Sequence, residues 1–103
     1  MNDSEKDRII KGLETRLSYK IFDLTYSEFD SANSKSEFFD YFSTILSLVP
    51  SCAICLHRMS PITAVNNAYF INFKTRQKEE SKVHAGIVCK NLDACEYRLS
   101  VKT

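Results

Sequence analysis

Four cysteines constrain this chain more than any other feature, because they fall in two pairs. Cys52 and Cys55 form C-A-I-C, and after 33 intervening residues Cys89 and Cys95 stand in V-C-K-N-L-D-A-C. A C-x₂-C in a tight turn presents two thiolates to one ion, and zinc takes four tetrahedral ligands, thiolates among the best. Hairpin-forming sequence between the pairs would return the chain so that the second pair completes the site. In 103 residues the hydrophobic core is small, so a bound metal adds materially to stability. The second spacing, five intervening residues, exceeds the two to four usual for such sites. Three readings of the pairs therefore stay open. All four cysteines can bind Zn²⁺ through a wider second loop; His84 or His57 can replace one of them; or the cysteines are buried free thiols or a reversible disulfide.

On C-A-I-C, the strands expected between the pairs and V-C-K-N-L-D-A-C, residues 52–103 resemble the zinc-ribbon and treble-clef group of single-zinc modules. The resemblance implies a structural Zn²⁺. C-A-I-C-L also looks like the first knuckle of a RING finger, but a RING needs eight ligands and the chain offers four Cys and two His. A thioredoxin-like pair would open a helix after a strand, whereas here the pair follows a predicted helix and precedes predicted strands.

Residues 4–21 read as an amphipathic helix, with Ser4 and Asp7 at its start and Ile10, Leu13, Leu17 and Ile21 on one face. A second helix is expected over 35–49. Ser34 and Glu37 form a capping box there, Phe38, Phe42, Ile45 and Val49 form a stripe, and Pro50 ends it. Packing accounts for that stripe more simply than an aromatic ligand groove does. The stretch 19–29 reads either as a helix end with a loop or as a short strand, its apolar residues Ile21, Phe22 and Leu24 falling out of phase. Beyond Pro50 the pattern changes to short strands. ITAV (62–65), a primed turn at Asn66-Asn67 and AYFINFKT (68–75) read as a hairpin. Residues 76–82 read as a charged loop or hairpin tip, 83–89 as a strand, and 96–102 as a strand with Tyr97, Leu99 and Val101 inward. The predicted fold is α+β: two N-terminal helices packed on a small zinc-stabilised antiparallel β-module, in a single domain over 1–103.

Charge divides the chain at the same place. Residues 1–50 carry six Lys/Arg and nine Asp/Glu, residues 51–103 eight and four, so an acidic half meets a basic one. Arg58, Lys74, Arg76, Lys78, Lys82 and Lys90 are the candidate nucleic-acid contacts, grouped around the expected hairpin tip and the knuckle, with Tyr69 or Phe70 available for stacking. Glu79 and Glu80 oppose that field, and solubility alone accounts for such lysines. The two glycines leave no Gly-rich phosphate loop. No paired carboxylates stand at a useful spacing in the second half, where Glu79-Glu80 is most simply a solvated loop, and no His or Asn pattern accompanies His57 or His84 to hold a second metal and a phosphate. No enzyme and no small-molecule substrate are expected.

The polar N-terminal residues lack a signal-peptide core, and no apolar run reaches the roughly 18 residues of a membrane span. The expected compartment is cytoplasmic: nuclear is the eukaryotic variant and the host cytoplasm the viral one. Two functions of different class follow. One is a small zinc-binding regulatory or adaptor protein that binds another protein, as a phage- or virus-type inhibitor does. The other is a nucleic-acid-binding zinc ribbon working through the basic hairpin around Lys74–Lys82.

Overall fold

The computed structural model describes residues 3–27 and 50–102. Helix α1 spans Asp3–Leu17, with Asp3 and Glu5 at its positive end and Arg16 in its last turn. Ile9 and Leu13 are fully buried, and Ile10 and Leu17 pack beside them. The helix is shorter than the expected 4–21. Ser18 turns to φ 62° while its N–H donates to the Glu14 carbonyl at 2.9 Å, a left-handed stop that frees Ile21 to begin a strand.

That strand, β1 (Ile21–Ser27), leads a three-stranded antiparallel sheet completed by β2 (Ala68–Gln77) and β3 (Glu80–Cys89), in the order β1-β2-β3. Two further helices, α2 (Pro61–Asn67) and α3 (Leu92–Lys102), flank β2 and β3. α1 packs on β1 and α3, α2 on β2, and α3 on β3. The protein is thus an α+β fold with helices against a small antiparallel sheet, and the cysteines gather at one end of that sheet. The second helix expected at 35–49 lies outside the described residues.

The expectations for 62–67 and 96–102 are corrected, and that for 76–82 is sharpened. Residues 62–65 are helical, because Ser60 caps α2, its hydroxyl accepting from the Thr63 N–H at 3.2 Å, and Pro61 stands at the helix start, where its missing N–H costs nothing. Asn66 and Asn67 are therefore the end of a helix, and no hairpin turn lies there. The stretch 76–82 does hold the hairpin tip, but a short one: β2 and β3 run on until Gln77 pairs with Glu80, leaving Lys78 and Glu79 as a two-residue turn. Finally, 96–102 belongs to α3. The Asn91 side chain caps it by accepting from the Ala94 N–H at 3.1 Å. Leu92 and Cys95 point into the core at helical spacing, whereas Tyr97 and Val101 are 70% and 67% exposed.

Alternation along β2 sets one sheet face to the core. Tyr69, Ile71, Phe73 and Thr75 are buried while Asn72, Lys74 and Arg76 are exposed. Tyr26 of β1 meets Tyr69 with ring centroids 4.9 Å apart, and the Tyr69 hydroxyl donates to Glu5 at 3.2 Å. Arg8 clips α1 to α3 by donating to Asp93 at 2.7 Å and Glu96 at 2.8 Å. Among the described residues no helix is long and apolar enough to cross a membrane.

Candidate metal centre

C-A-I-C forms a small turn stitched shut at both ends. The Leu56 N–H donates to the Cys52 carbonyl and the Cys52 N–H to the His57 carbonyl, each at 2.9 Å, and Ser51 bridges Arg58. Leu56 takes a left-handed φ of 65° to close the turn. The turn is docked on β3: Cys52 bridges Ile87 in parallel, and the Ala53 N–H donates to the Ile87 carbonyl at 2.8 Å. Ile87 lies two residues before Cys89, so this docking places the first pair of thiols beside the strand that carries the third.

The fourth comes from α3. Cys89 is the last residue of β3, and Asn91 caps the helix that starts at Leu92. The Cys95 N–H donates to the Asn91 carbonyl at 3.1 Å, so the thiol is presented from the first turn. The five-residue interval is thereby explained: it holds a strand exit, a cap and one helical turn.

None of the four cysteines is in a disulfide, all are buried, and their sulfurs lie within 4.8 Å of one another. Cys52 and Cys95 sulfurs stand 3.6 Å apart, Cys55 and Cys89 sulfurs 3.7 Å. A tetrahedron of sulfurs about 2.3 Å from a zinc ion has edges of roughly 3.8 Å, so these two spacings suit a metal shell. The surroundings suit thiolates as well. The Ile54 and Cys55 N–H groups point at the Cys52 sulfur at 3.4 and 3.5 Å, and Arg98 donates from its guanidinium to the Cys89 sulfur at 3.5 Å. The α3 N-terminus adds the positive end of its dipole. The donor set can coordinate a metal ion.

Protons crowd this site in the thiol form. Hydrogen bonds from Cys89 and Cys95 hold the Cys52 thiol far down, to about 2. Donating to Cys52 pushes Cys89 up to about 12, and hydrogen bonds to Cys52 and Cys89, then burial, push Cys95 up further. Deprotonation is thus favoured at Cys52, while Cys89 and Cys95 hold their protons. A divalent cation would displace them, which makes metal binding proton-releasing.

Neither histidine belongs to the four-thiol group. His84 sits five positions up β3 from Cys89, roughly 16 Å along an extended strand. Its ring stacks on Phe73 at 5.1 Å and its Nε2 meets the Thr75 hydroxyl at 3.3 Å. His57 lines a cavity of about 360 Å³ beside the centre, with Lys90, Asn91 and Arg98. The residues proposed for nucleic acid divide into two sets. Lys74 and Arg76 share the outer face of β2, and Lys78 stands at the turn, with Lys82 nearby in the register of Thr75. Lys90 and Arg58 lie at the cysteine end, whereas Lys74 pairs with Val83, six positions or roughly 20 Å of extended strand before Cys89. Lys90 stands over the Tyr69 ring, 5.9 Å from its centroid. Two residues of interest escape a reading of the sequence. Arg98 would be found only by knowing that Cys95 is helical, which puts Arg98 one turn on. Phe22 would be found only through the irregularity in β1.

No protein-family model, curated protein or solved structure matches this chain.

Proposed function

We propose that the four cysteines hold one structural zinc ion and that the protein is a small adaptor or regulator acting by binding another protein. The convergence of Cys52, Cys55, Cys89 and Cys95 carries this reading. Four sulfurs fill a tetrahedral shell and leave no position for water or substrate, which suits a structural ion and no metal-centred catalysis. The order of parts, a knuckle, then, beyond α2, a hairpin and a helix bearing the last thiol, favours the treble-clef member of the resembled group over the zinc ribbon. Metal analysis of freshly purified, reduced protein should give about one zinc per chain. Finding none would remove the metal and, with it, the adaptor reading as stated. A nuclease-treated pull-down should then recover one protein in stoichiometric amount.

A second reading is nucleic-acid binding through the basic hairpin. It is favoured by Lys74 and Arg76 standing on the exposed sheet face beside Phe22. Recovery of nucleic acid alone, lost as salt rises from about 50 to 200 mM, would select it.

A further inference from the structure

Ile21 and Leu24 both enter the core, at 6% and 4% exposure. Three positions apart, they would face opposite sides of a regular strand. A break in register between Ile21 and Asp23 reconciles them: Ile21 pairs with Thr75 and Asp23 already with Lys74, so one residue of β1 is extra. That residue is Phe22, and its ring is left 53% exposed.

A single exposed apolar residue is ordinary, but Phe22 has particular company. The Arg76 guanidinium stands over its ring, 5.9 Å from the centroid. Lys20, Phe22 and Arg76 line a hollow of about 370 Å³, within the range that holds a small ligand. Among the described residues no carboxylate lines it. The neighbouring outer-face positions, Thr25, Asn72 and Lys74, are polar, and Lys74 is already loosely paired with Asp23 at 3.9 Å. An aromatic ring with Arg76 over one face, Lys20 in the same hollow and polar residues around it is poor as an apolar protein contact. It is well suited to a base, which brings a π-face for the ring and phosphates for the cations.

We propose that a single-stranded nucleic acid seats here, one base stacking on Phe22 while Lys20 and Arg76 take the flanking phosphates. The proposal rests on the second functional reading and names its surface. It is tested on the full zinc-loaded chain by fluorescence anisotropy with labelled oligo-dT and oligo-U. Two phosphate contacts on a single strand predict a loss of roughly sevenfold in affinity between about 50 and 200 mM salt. Phe22→Ala should weaken binding at least about fivefold and Phe22→Trp should restore it. Arg76→Gln should flatten the salt dependence, and Lys11→Gln on α1 should leave binding unchanged. Phe22 is exposed, so an unaltered metal content and circular dichroism spectrum will show that its variants fold. Failure of the parent chain to bind either oligonucleotide overturns the nucleic-acid reading itself. Parent binding that survives both Phe22→Ala and Arg76→Gln leaves that reading standing and overturns this surface. Capture of a protein, lost in Phe22→Ala, by a chain that binds no oligonucleotide assigns the patch to a protein and overturns the proposal.

Discussion

Arg98 donates from its guanidinium to the Cys89 sulfur at 3.5 Å, one helical turn beyond Cys95. The helix that supplies the fourth thiol thus also supplies a cation to the third. Four thiolates around a divalent ion carry a net charge of −2, and a buried charge is costly without compensation. Burial opposes the charge on Arg98, but the surrounding sulfurs of Cys55, Cys89 and Cys95 outweigh that and push its pKa up. Arg98→Gln should therefore weaken zinc binding roughly tenfold, read by competition with a chromophoric chelator. Arg98→Lys should fall between, keeping the charge without the planar fork. Equal zinc affinity in all three proteins would show that the contact does not support the site.

Removing the metal should unfold the end of the sheet that the cysteines tie together. Cys52, Cys55, Cys89 and Cys95 belong to one core cluster with Ile54, Ile87 and Leu92, and structural zinc contributes on the order of 10 kcal/mol in small modules. Chelation should abolish the near-ultraviolet circular dichroism of the tyrosines, and re-addition of zinc should restore it. Cys52→Ser should mimic chelation, since Cys52 is fully buried and receives two backbone N–H groups as well as the neighbouring thiols. A Cys52→Ser protein with native spectrum and full zinc content would contradict the site.

α1 reaches the knuckle through Gly12. A Cβ placed there would lie 3.0 Å from Ile54 Cδ1 and 3.1 Å from its Cγ2. Gly→Ala inside an exposed helix stabilises by about 1 kcal/mol. Here Ile54 is buried between two cysteines and its own N–H points at the Cys52 sulfur, so it has little room to yield. Overpacking should win, and Gly12→Ala should destabilise by about 1 kcal/mol in zinc-saturated thermal unfolding. Ile54→Val removes the closest carbon, so in the Gly12→Ala background it should recover part of the loss. Additive effects of the two substitutions would mean that the contact is not the cause.

What could be read in the sequence depended on which signals were local. The four cysteines and the first helix announce themselves by spacing and periodicity. The strands before and after the turn do so partly, because Tyr69, Ile71 and Phe73 alternate. The last element misled because Tyr97, Leu99 and Val101 also alternate, yet Tyr97 and Val101 face solvent and only Leu99 packs against the core. Asn91 as a helix cap was the contrary signal, as Ser60-Pro61 was for α2. The break in β1 was visible only as apolar residues out of phase. Its resolution needed the partner strand, whose register fixes which residue is extra.

The hairpin turn shows the same competition and allows a direct test. Asn66-Asn67 has the composition of a primed turn, but the Ser60 cap and Pro61 claim those asparagines for α2. The turn falls instead at Lys78-Glu79, between the paired Gln77 and Glu80, and both residues adopt left-handed backbone with φ of 50° and 70°. Positive φ at both central positions is the type I′ pattern, which favours Asn-Gly and costs side-chain-bearing residues about 1 kcal/mol or more each. Replacing the pair by Asn-Gly, Lys78→Asn with Glu79→Gly, should relieve that strain. Glycine's greater freedom in the unfolded chain offsets part of the gain, so the net stabilisation should be about 1 kcal/mol in denaturant unfolding at saturating zinc. A loss of stability would place the turn elsewhere along the hairpin and shift the register of Lys74 and Arg76 with it.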